Sequence, residues 1–555
     1  MNSTPRIFLA LFAILFAACQ SSDRDQFDIL ITNGTIVDGT GNPWYRGDVG
    51  IRGDRIVSIG KLSAAQAKKT IDAAGKIVCP GFIDILGQSE YYILIDNRAM
   101  SKISQGITTE VNGEGESPAP VNERIVKEMK PFLDEYNLTV DWKDYEGYFK
   151  RVEQTKSTLN LGSLVGAAQV REYVIGFEDR APTPQELEQM KQLVRDAMKQ
   201  GAMGLSTALE YAPAMYAKTP ELIELAKAAA EYGGTFFVHL RSEQEKIIEA
   251  VHEAADIGRA ANIPVEIWHL KVAEQQNWGR MSEVVRLLQH QREQGLDITA
   301  DQYPYTAFGN DVGSLLPSWA REGGTEKILE RLKDPQTRVK MRKEIQARNR
   351  NKGPDFQSMM LSTINNPELK QFEGKRITEL SALWKKDPIE TVFDLLLADS
   401  ARTSRVVFAM NEEDLKMGMG QPWISFCTDA SARATDGPLS KGKPHPRAYG
   451  SFPRILGKYV REEKLLSLEE AVRKMTSLPA ARFGIQERGL VKTGFFADVV
   501  IFDPNTVIDK ATFIDPHQYS VGIEHVFVNG SIVWEQGKVT ENRPGRVIRG
   551  PGFGK

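Results

Sequence analysis

The chain has 555 residues, 41% of them hydrophobic and 26% charged, enough for one large domain with a companion or for two or three ordinary ones, and too apolar for a disordered protein. A formal net charge of −3 advertises no strongly basic face of the kind that binds nucleic acid.

The first stretch, MNSTPRIFLALFAILFAACQSS, has one early basic residue, Arg6, and an apolar run from Ile7 to Ala18. That run is shorter than the roughly 20 apolar residues that span a bilayer, so residues 1–18 read as an export signal. Phe16-Ala17-Ala18-Cys19 resembles the lipobox of bacterial lipoproteins, with Phe16 where Leu is usual. The resemblance implies a lipid on Cys19, a tether over 19–26, and a periplasmic or outer-membrane lipoprotein that meets the membrane only through that anchor. A plain cleaved signal is the alternative. Cys79 and Cys427, the remaining cysteines, sit in apolar runs and read as buried free thiols.

From 27 to 76 short alternating segments are broken by Asn-Gly, Asp-Gly and Gly-Asp, which predicts hairpins of an antiparallel sheet. Similar segments return over 490–548. Each piece is too small to bury a core alone, so the two are expected to form one β-sandwich from both chain ends. Between them lies an α/β region, 77–489, with eight candidate strands at 77–84, 107–114, 161–167, 201–207, 235–240, 264–270, 298–303 and 423–429. Helical segments such as TPQELEQMKQLVRDAMKQG and TPELIELAKAAAEYGG open with Thr-Pro and close with Gly. This pattern predicts a TIM-like (β/α)8 barrel, with a doubly wound open sheet as runner-up. Residues 308–420 are too many for a loop and predict an inserted subdomain before the last barrel strand, placed as a lid or pocket wall.

In such a barrel the chemistry sits at the C-terminal strand ends. Those ends carry Asp84, Glu114, Ser206, His239, His269 with Lys271, Asp301 with Tyr303, and Asp429. Of seven histidines, His252 and His290 fall on amphipathic helices and His517 and His525 in the terminal β segments, which suits surface or structural roles. His239 and His269 instead end apolar runs on neighbouring strands. With acids on other strands they read as metal ligands.

The stretches VCPGFID, SKISQGITTE, ESPAP, GAMGLSTALEYAP, ELIELAKAAAEYGGTFFVHLRSE, PVEIWHLK, DQYPYTA and PHPRAYGSFPRILGKYVRE resemble, in order and over about 28–545, the N-acyl-D-amino-acid deacylase branch of the amidohydrolase superfamily. The resemblance implies a Zn²⁺ hydrolase of N-acylated D-amino acids, a small-molecule partner. It implies metal ligation by His239 and His269, Asp429 as the catalytic aspartate, and Lys271, Tyr303 and Arg447 as groups facing the substrate carboxylate.

Two departures stand out. Where the family has His-X-His after PGFID, this chain has Leu86-Gly87-Gln88, and no histidine precedes 239. Where it has the cysteine of Gly-Asn-Cys-Gly, this chain has Glu114, with Glu116 close by. A carboxylate is a competent zinc ligand, and two His with one Glu is a recognised catalytic set. The expectation is one ion, Zn²⁺ or another divalent metal, on Glu114, His239 and His269. Ala167, where the family often has His, is expected to reshape the pocket. The rival readings are a cyclic-amide hydrolase or dipeptidase of the same superfamily, and an exported binding protein whose site has degraded, with Glu114 merely paired to a nearby cation.

Overall fold

The structure, a computed structural model, describes residues 26–63, 67–348 and 352–555. The expected signal and Cys19 lie outside the described residues. Among those residues no helix is long and apolar enough to cross a membrane.

Eight parallel stretches run side by side in chain order. Phe82–Asp84, Ile107–Asn112 and Asn160–Ser163 form one set. Val165–Gly166, Gly204–Ala208, Thr235–His239, Val265–Ile267, Ile298–Gln302 and Ile424–Phe426 form the other. Leu164 breaks one strand into two pieces that serve both sets, since its N–H bonds Asn112 at 2.9 Å while Ser163 O takes the Met203 N–H at 2.8 Å. At the far edge the Asp429 N–H donates to Leu86 O at 2.9 Å, and Gly87 bridges Ala430 in parallel, so the first stretch lies against the last. These strands are buried along their whole length, polar residues such as Thr109, Glu110, Asn160 and Asp301 included, with helices packed against them.

The helix Pro184–Gln200 shows why the chain turns where it does. Thr183 and Glu186 form a reciprocal cap, Pro184 occupies the first turn where its missing N–H costs nothing, and Gly201 ends the helix at φ 111°. The second Thr-Pro behaves differently. Helix Thr219–Ala230 includes Thr219 as its first residue, and that hydroxyl donates to Glu253 Oε1 at 2.8 Å instead of capping.

One expected strand is corrected. The run 77–84 is two strands: Ile77–Pro80 pairs antiparallel with Val499–Phe502 and parallel with Thr35–Ile36, whereas Phe82–Asp84 joins the parallel array. Gly81 divides them; its N–H goes to Asp498 O and the next, on Phe82, to Gly106 O. Ile77–Pro80 thereby enters a nine-stranded sheet built from both chain ends. That sheet is not purely antiparallel either, because Ala67–Asp72 lies parallel to Phe27–Ile36.

Within 308–420 a three-stranded antiparallel sheet, Phe308–Asp311, Ser404–Val407 and Met359–Thr363, packs with helices such as Pro335–Gln346 and Pro388–Ala398. Leu332, Met341, Leu361, Phe393 and Leu396 are buried in an apolar cluster of this segment.

Candidate metal centre

Glu114 is placed by its two neighbours. Gly113 and Gly115 adopt φ of 102° and 74°, and a Cβ on either would meet Leu164 O at 2.6 Å or Ala208 Cβ at 2.7 Å. The tight turn directs the carboxylate back over the strand ends, where Oε1 lies 2.9 Å from His239 Nδ1 and 2.9 Å from His269 Nε2. The two rings stand nearly perpendicular with centroids 4.5 Å apart. Glu114, His239 and His269 each offer one ligand atom, and these lie within 4.8 Å of one another. Glu116 is not part of this group.

Each imidazole is backed by a carboxylate on its other nitrogen. His239 Nε2 is 3.4 Å from Glu210 Oε2, and His269 Nδ1 is 3.0 Å from Glu243 Oε1. Such outer carboxylates fix the ring orientation and tautomer of metal-binding histidines. Lys271 belongs to this outer layer, with Nζ 2.5 Å from Glu243 Oε1 and 2.8 Å from His269 Nδ1. An ammonium has no lone pair, so the Lys271–imidazole bond and the Nδ1–H bond to Glu243 are alternatives. The latter leaves Nε2 free as a ligand. Glu210, His239 and Glu243 make a second group of compatible donors that shares His239 with the first.

Burial alone lowers the His239 pKa, but Glu243, Glu114 and Glu210 outweigh it and lift the imidazole to about 10. His269 is raised too, against burial and Lys271, by Asp429 and Glu243. Burial raises Glu114, yet the two imidazoles hold it well below the usual carboxylate range. One oxygen thus faces two imidazoles that need an added positive charge each. A divalent cation supplies both charges at once and displaces those protons, so the donor set fits a metal of the zinc type.

Asp429 and His269 have the left-handed backbone angles φ 49° and 37°, uncommon for residues with side chains and found at functional sites. His269 is held there by its N–H bond to Asp301 Oδ1, 2.8 Å. Burial pushes the pKa of Asp301 up to about 7, and its contact with His269 is to the backbone, not the ring. Asp429 Oδ2 is 2.6 Å from Arg447 Nη1, and burial raises its pKa against the pull of Arg447. The Arg447 guanidinium lies 4.6 Å over the Tyr303 ring. Both Tyr303 Oη and Arg447 Nε are buried without a hydrogen-bond partner among the described residues. Ala167 begins the helix Ala167–Val174 and is buried.

The Leu86-Gly87-Gln88 stretch is filled in. Leu86 is buried in apolar surroundings. A Cβ on Gly87 would meet Glu110 Cδ at 2.1 Å. Glu110 cannot withdraw, being bonded by the Ser89 N–H at 3.0 Å, the Ser89 hydroxyl at 3.0 Å and Lys102 at 3.1 Å. Lys102, fully buried, also reaches Asp84 at 2.7 Å, Thr428 Oγ1 at 2.8 Å and Ala430 O at 2.6 Å. Gln88 bridges the centre: Nε2 donates to Glu114 Oε2 at 2.7 Å and to Asp429 Oδ1 at 3.0 Å.

Sequence reasoning missed Gln88, Glu210, Glu243 and Lys102. Glu210 and Glu243 lay inside GAMGLSTALEYAP and FFVHLRSE, so the stretches carried a signal that strand-end counting passed over.

The family model described as "Amidohydrolase family" matches residues 428–534. The D-aminoacylase of Alcaligenes xylosoxydans xylosoxydans is 35% identical over 530 residues, 95% of this chain and 98% of that protein. The N-acyl-D-glutamate deacylase of the same organism is 34% identical over 529 residues, 95% and 97%. Among solved structures, the Bordetella bronchiseptica N-acyl-D-glutamate deacylase, complexed with zinc and a phosphonate mimic of the tetrahedral intermediate, has a TM-score of 0.80 at 33% identity over 94% of this chain and 100% of that one. A D-aminoacylase studied for its binuclear metal centre, with one-metal activation and second-metal attenuation, has a TM-score of 0.78 at 33% identity over 94% and 100%. With identity above 30% along almost its whole length, the chain belongs to the N-acyl-D-amino-acid deacylase family of amidohydrolases, hydrolases of carbon–nitrogen bonds other than peptide bonds.

Proposed function

We propose that this enzyme converts an N-acyl-D-amino acid and water into a carboxylate and a D-amino acid, using one divalent ion held by Glu114, His239 and His269. The observation that carries the reading is the single Glu114 oxygen at 2.9 Å from a nitrogen of both imidazoles. In this reading the eight parallel stretches close as a (β/α)8 barrel, the terminal sheet is its companion domain, 308–420 walls the pocket, and Cys19 anchors the exported protein.

When bound, the ion acts as a Lewis acid on the scissile amide and the attacking water. Asp429 takes a proton from that water and returns it to the leaving amine nitrogen. An aspartate at its ordinary pKa near 3.9 is a weak base, and burial raises the pKa of Asp429 above that of a free carboxyl. Gln88 and Arg447 each hold one Asp429 oxygen, and each oxygen keeps a second lone pair for the proton. Tyr303 Oη and Arg447 Nε are donors without partners among the described residues, and in this reading they receive the substrate carboxylate, with Lys271 adding positive charge behind them.

The reading is tested by metal analysis of the purified protein together with turnover of N-acetyl-D-amino acids, their L forms, their C-terminal amides, a hydantoin and dipeptides. Near-stoichiometric metal and hydrolysis of the D-acids alone, with the amides much slower, is the expected result. Turnover of the hydantoin or the dipeptides in preference, or equal rates for acid and amide, would overturn the substrate assignment or the carboxylate clamp respectively.

A further inference from the structure

The same face of the molecule carries a feature that this chemistry leaves unused. A cavity of about 1400 Å³ lies between the loops following Gly204–Ala208, Thr235–His239 and Val265–Ile267 and the 308–420 segment, lined in part by Glu210, Phe308, Arg321, Arg348 and Arg405. Arg405 is only 6% exposed. Its guanidinium meets neutral atoms, Asn310 Oδ1 at 3.0 Å, Ser314 Oγ at 3.1 Å and Met359 Sδ at 2.8 Å. Arg321 donates from Nη1 to Glu210 O at 3.2 Å, and its Nε is buried without a partner among the described residues. Among those residues no carboxylate forms an ion pair with Arg321, Arg348 or Arg405. The nearby Glu210 carboxylate is already engaged by His239 and Gln244. Burial lowers the pKa of all three arginines, that of Arg405 to about 10, and repulsion from Arg321 on Arg348 and from Arg348 on Arg405 adds to it.

The acids around them, Glu210, Glu274, Asp311 and Glu344, pull on these guanidinium ions without forming an ion pair with them, so grouping the desolvated charges stays costly until an anion arrives to pair with them. Their planar forks suit a carboxylate held by two parallel bonds. The position of the cavity says which part of a substrate would reach it. It borders Glu210, which touches the His239 side of the centre, whereas Tyr303 and Arg447 lie toward His269 and Asp429. A substrate whose α-carboxylate is held by Tyr303 and Arg447 therefore extends its far end, across the scissile bond, toward the arginines. The volume exceeds what an acetyl group needs.

We propose that this cavity is a subsite for an anionic group at the end of the acyl chain, making acyl-D-amino acids with a carboxylate-terminated acyl group the preferred substrate class. The proposal rests on the deacylase reading above.

The test compares kcat/KM for N-succinyl-D-leucine with that for neutral N-pentanoyl-D-leucine, and for N-acetyl-D-glutamate with N-acetyl-D-glutamine, in the wild type, Arg321→Gln and Arg405→Gln. The wild type is expected to favour the succinyl substrate, and each variant to lower the succinyl/pentanoyl ratio about tenfold or more, the worth of a charge-assisted hydrogen bond. Because a ratio is read, a general loss of activity cancels, and the partly exposed Arg321 keeps the test readable if Arg405→Gln does not fold. A wild-type ratio near one, or a ratio unmoved in both variants, overturns the subsite. A fall confined to the glutamate/glutamine ratio places the anion on the side chain and overturns the acyl assignment. If the wild type hydrolyses none of these compounds the deacylase reading fails, and calorimetry with glutarate then judges the cavity separately. Binding about tenfold weaker in Arg321→Gln supports an anion subsite, and unchanged binding removes it.

Discussion

Replacing Gln88 by Met keeps the length and volume of the side chain and removes the amide that joins Glu114 to Asp429. Two bonds to carboxylate oxygens are lost, at 2.7 and 3.0 Å, both in a buried centre. Hydrogen bonds to charged groups contribute about 1.5–3 kcal/mol each. Glu114 keeps its two imidazoles at Oε1, so the larger effect falls on Asp429. One such bond lost from the transition state corresponds to roughly a 10- to 150-fold drop in kcat/KM. The sign of the pH effect follows from the same geometry. A donor to the ionised form lowers a carboxyl pKa, so its removal raises an Asp429 pKa that burial has already raised. Asp429 must be ionised to take a proton, and the acid limb of kcat/KM therefore moves to higher pH. The assay is a pH profile of kcat/KM for wild type and Gln88→Met at saturating metal, with metal content measured on the same samples, because the lost bond to Glu114 Oε2 also weakens the grip on the ion. An unaltered rate with an unaltered acid limb would refute the bridging role, and a loss of rate only in proportion to lost metal would show that Gln88 acts on the ion and not on the aspartate.

Glu114→Gln retains the shape and removes the charge between the two imidazoles; zinc affinity is expected to fall by more than the 10–100-fold typical of outer-layer changes, with rate falling in step, as a metal titration followed by turnover will show. Gly87→Ala drives a methyl into Glu110, which Ser89 and Lys102 hold in place, and is expected to cost about 1–3 kcal/mol in denaturant unfolding. Lys474, whose Nζ is buried against the carbonyls of Met419 and Gln421, has its pKa lowered by burial to about 7. The folded protein then binds fewer protons than the unfolded chain between about pH 7 and 10.4, so stability gains from this group as pH rises through that window. Denaturation at pH 7 and 9 is expected to show wild type gaining on Lys474→Met, and parallel curves would contradict the buried-lysine account.

His239 and His269 were legible because each ends an apolar run on neighbouring strands, and Glu114 and Asp429 because they fall at strand ends in stretches that resemble the family. Pattern says nothing about partners. The run 77–84 reads as one strand because both its sheets demand apolar residues, and only the pairing partners of Pro80 and Phe82 reveal the division at Gly81. Gln88 was legible as a missing imidazole but not as a bridge, since an uncharged amide in a loop has no periodic signature. Lys102 lies on the short helix Met100–Ile103, where a cation ordinarily suggests solvent, and its complete burial depends on Asp84, Glu110 and Thr428 arriving from three other segments. Arg405 was hidden similarly, within a strand of the 308–420 segment whose cavity-facing side cannot be told from its outer side without coordinates.

The terminal sheet imposes an order on biosynthesis. Ile77–Pro80 has Val499–Phe502 along one edge, a partner that emerges from the ribosome roughly 420 residues later, about 20–80 s at ordinary elongation rates. Through that interval the nascent chain presents an unpaired apolar edge, the kind of surface that recruits chaperones or sticks to a second chain. Truncations near the C-terminus should therefore fail by aggregation during synthesis, before the hydrolytic centre, more than 60 residues upstream of Val499 at Asp429, has any bearing on the outcome.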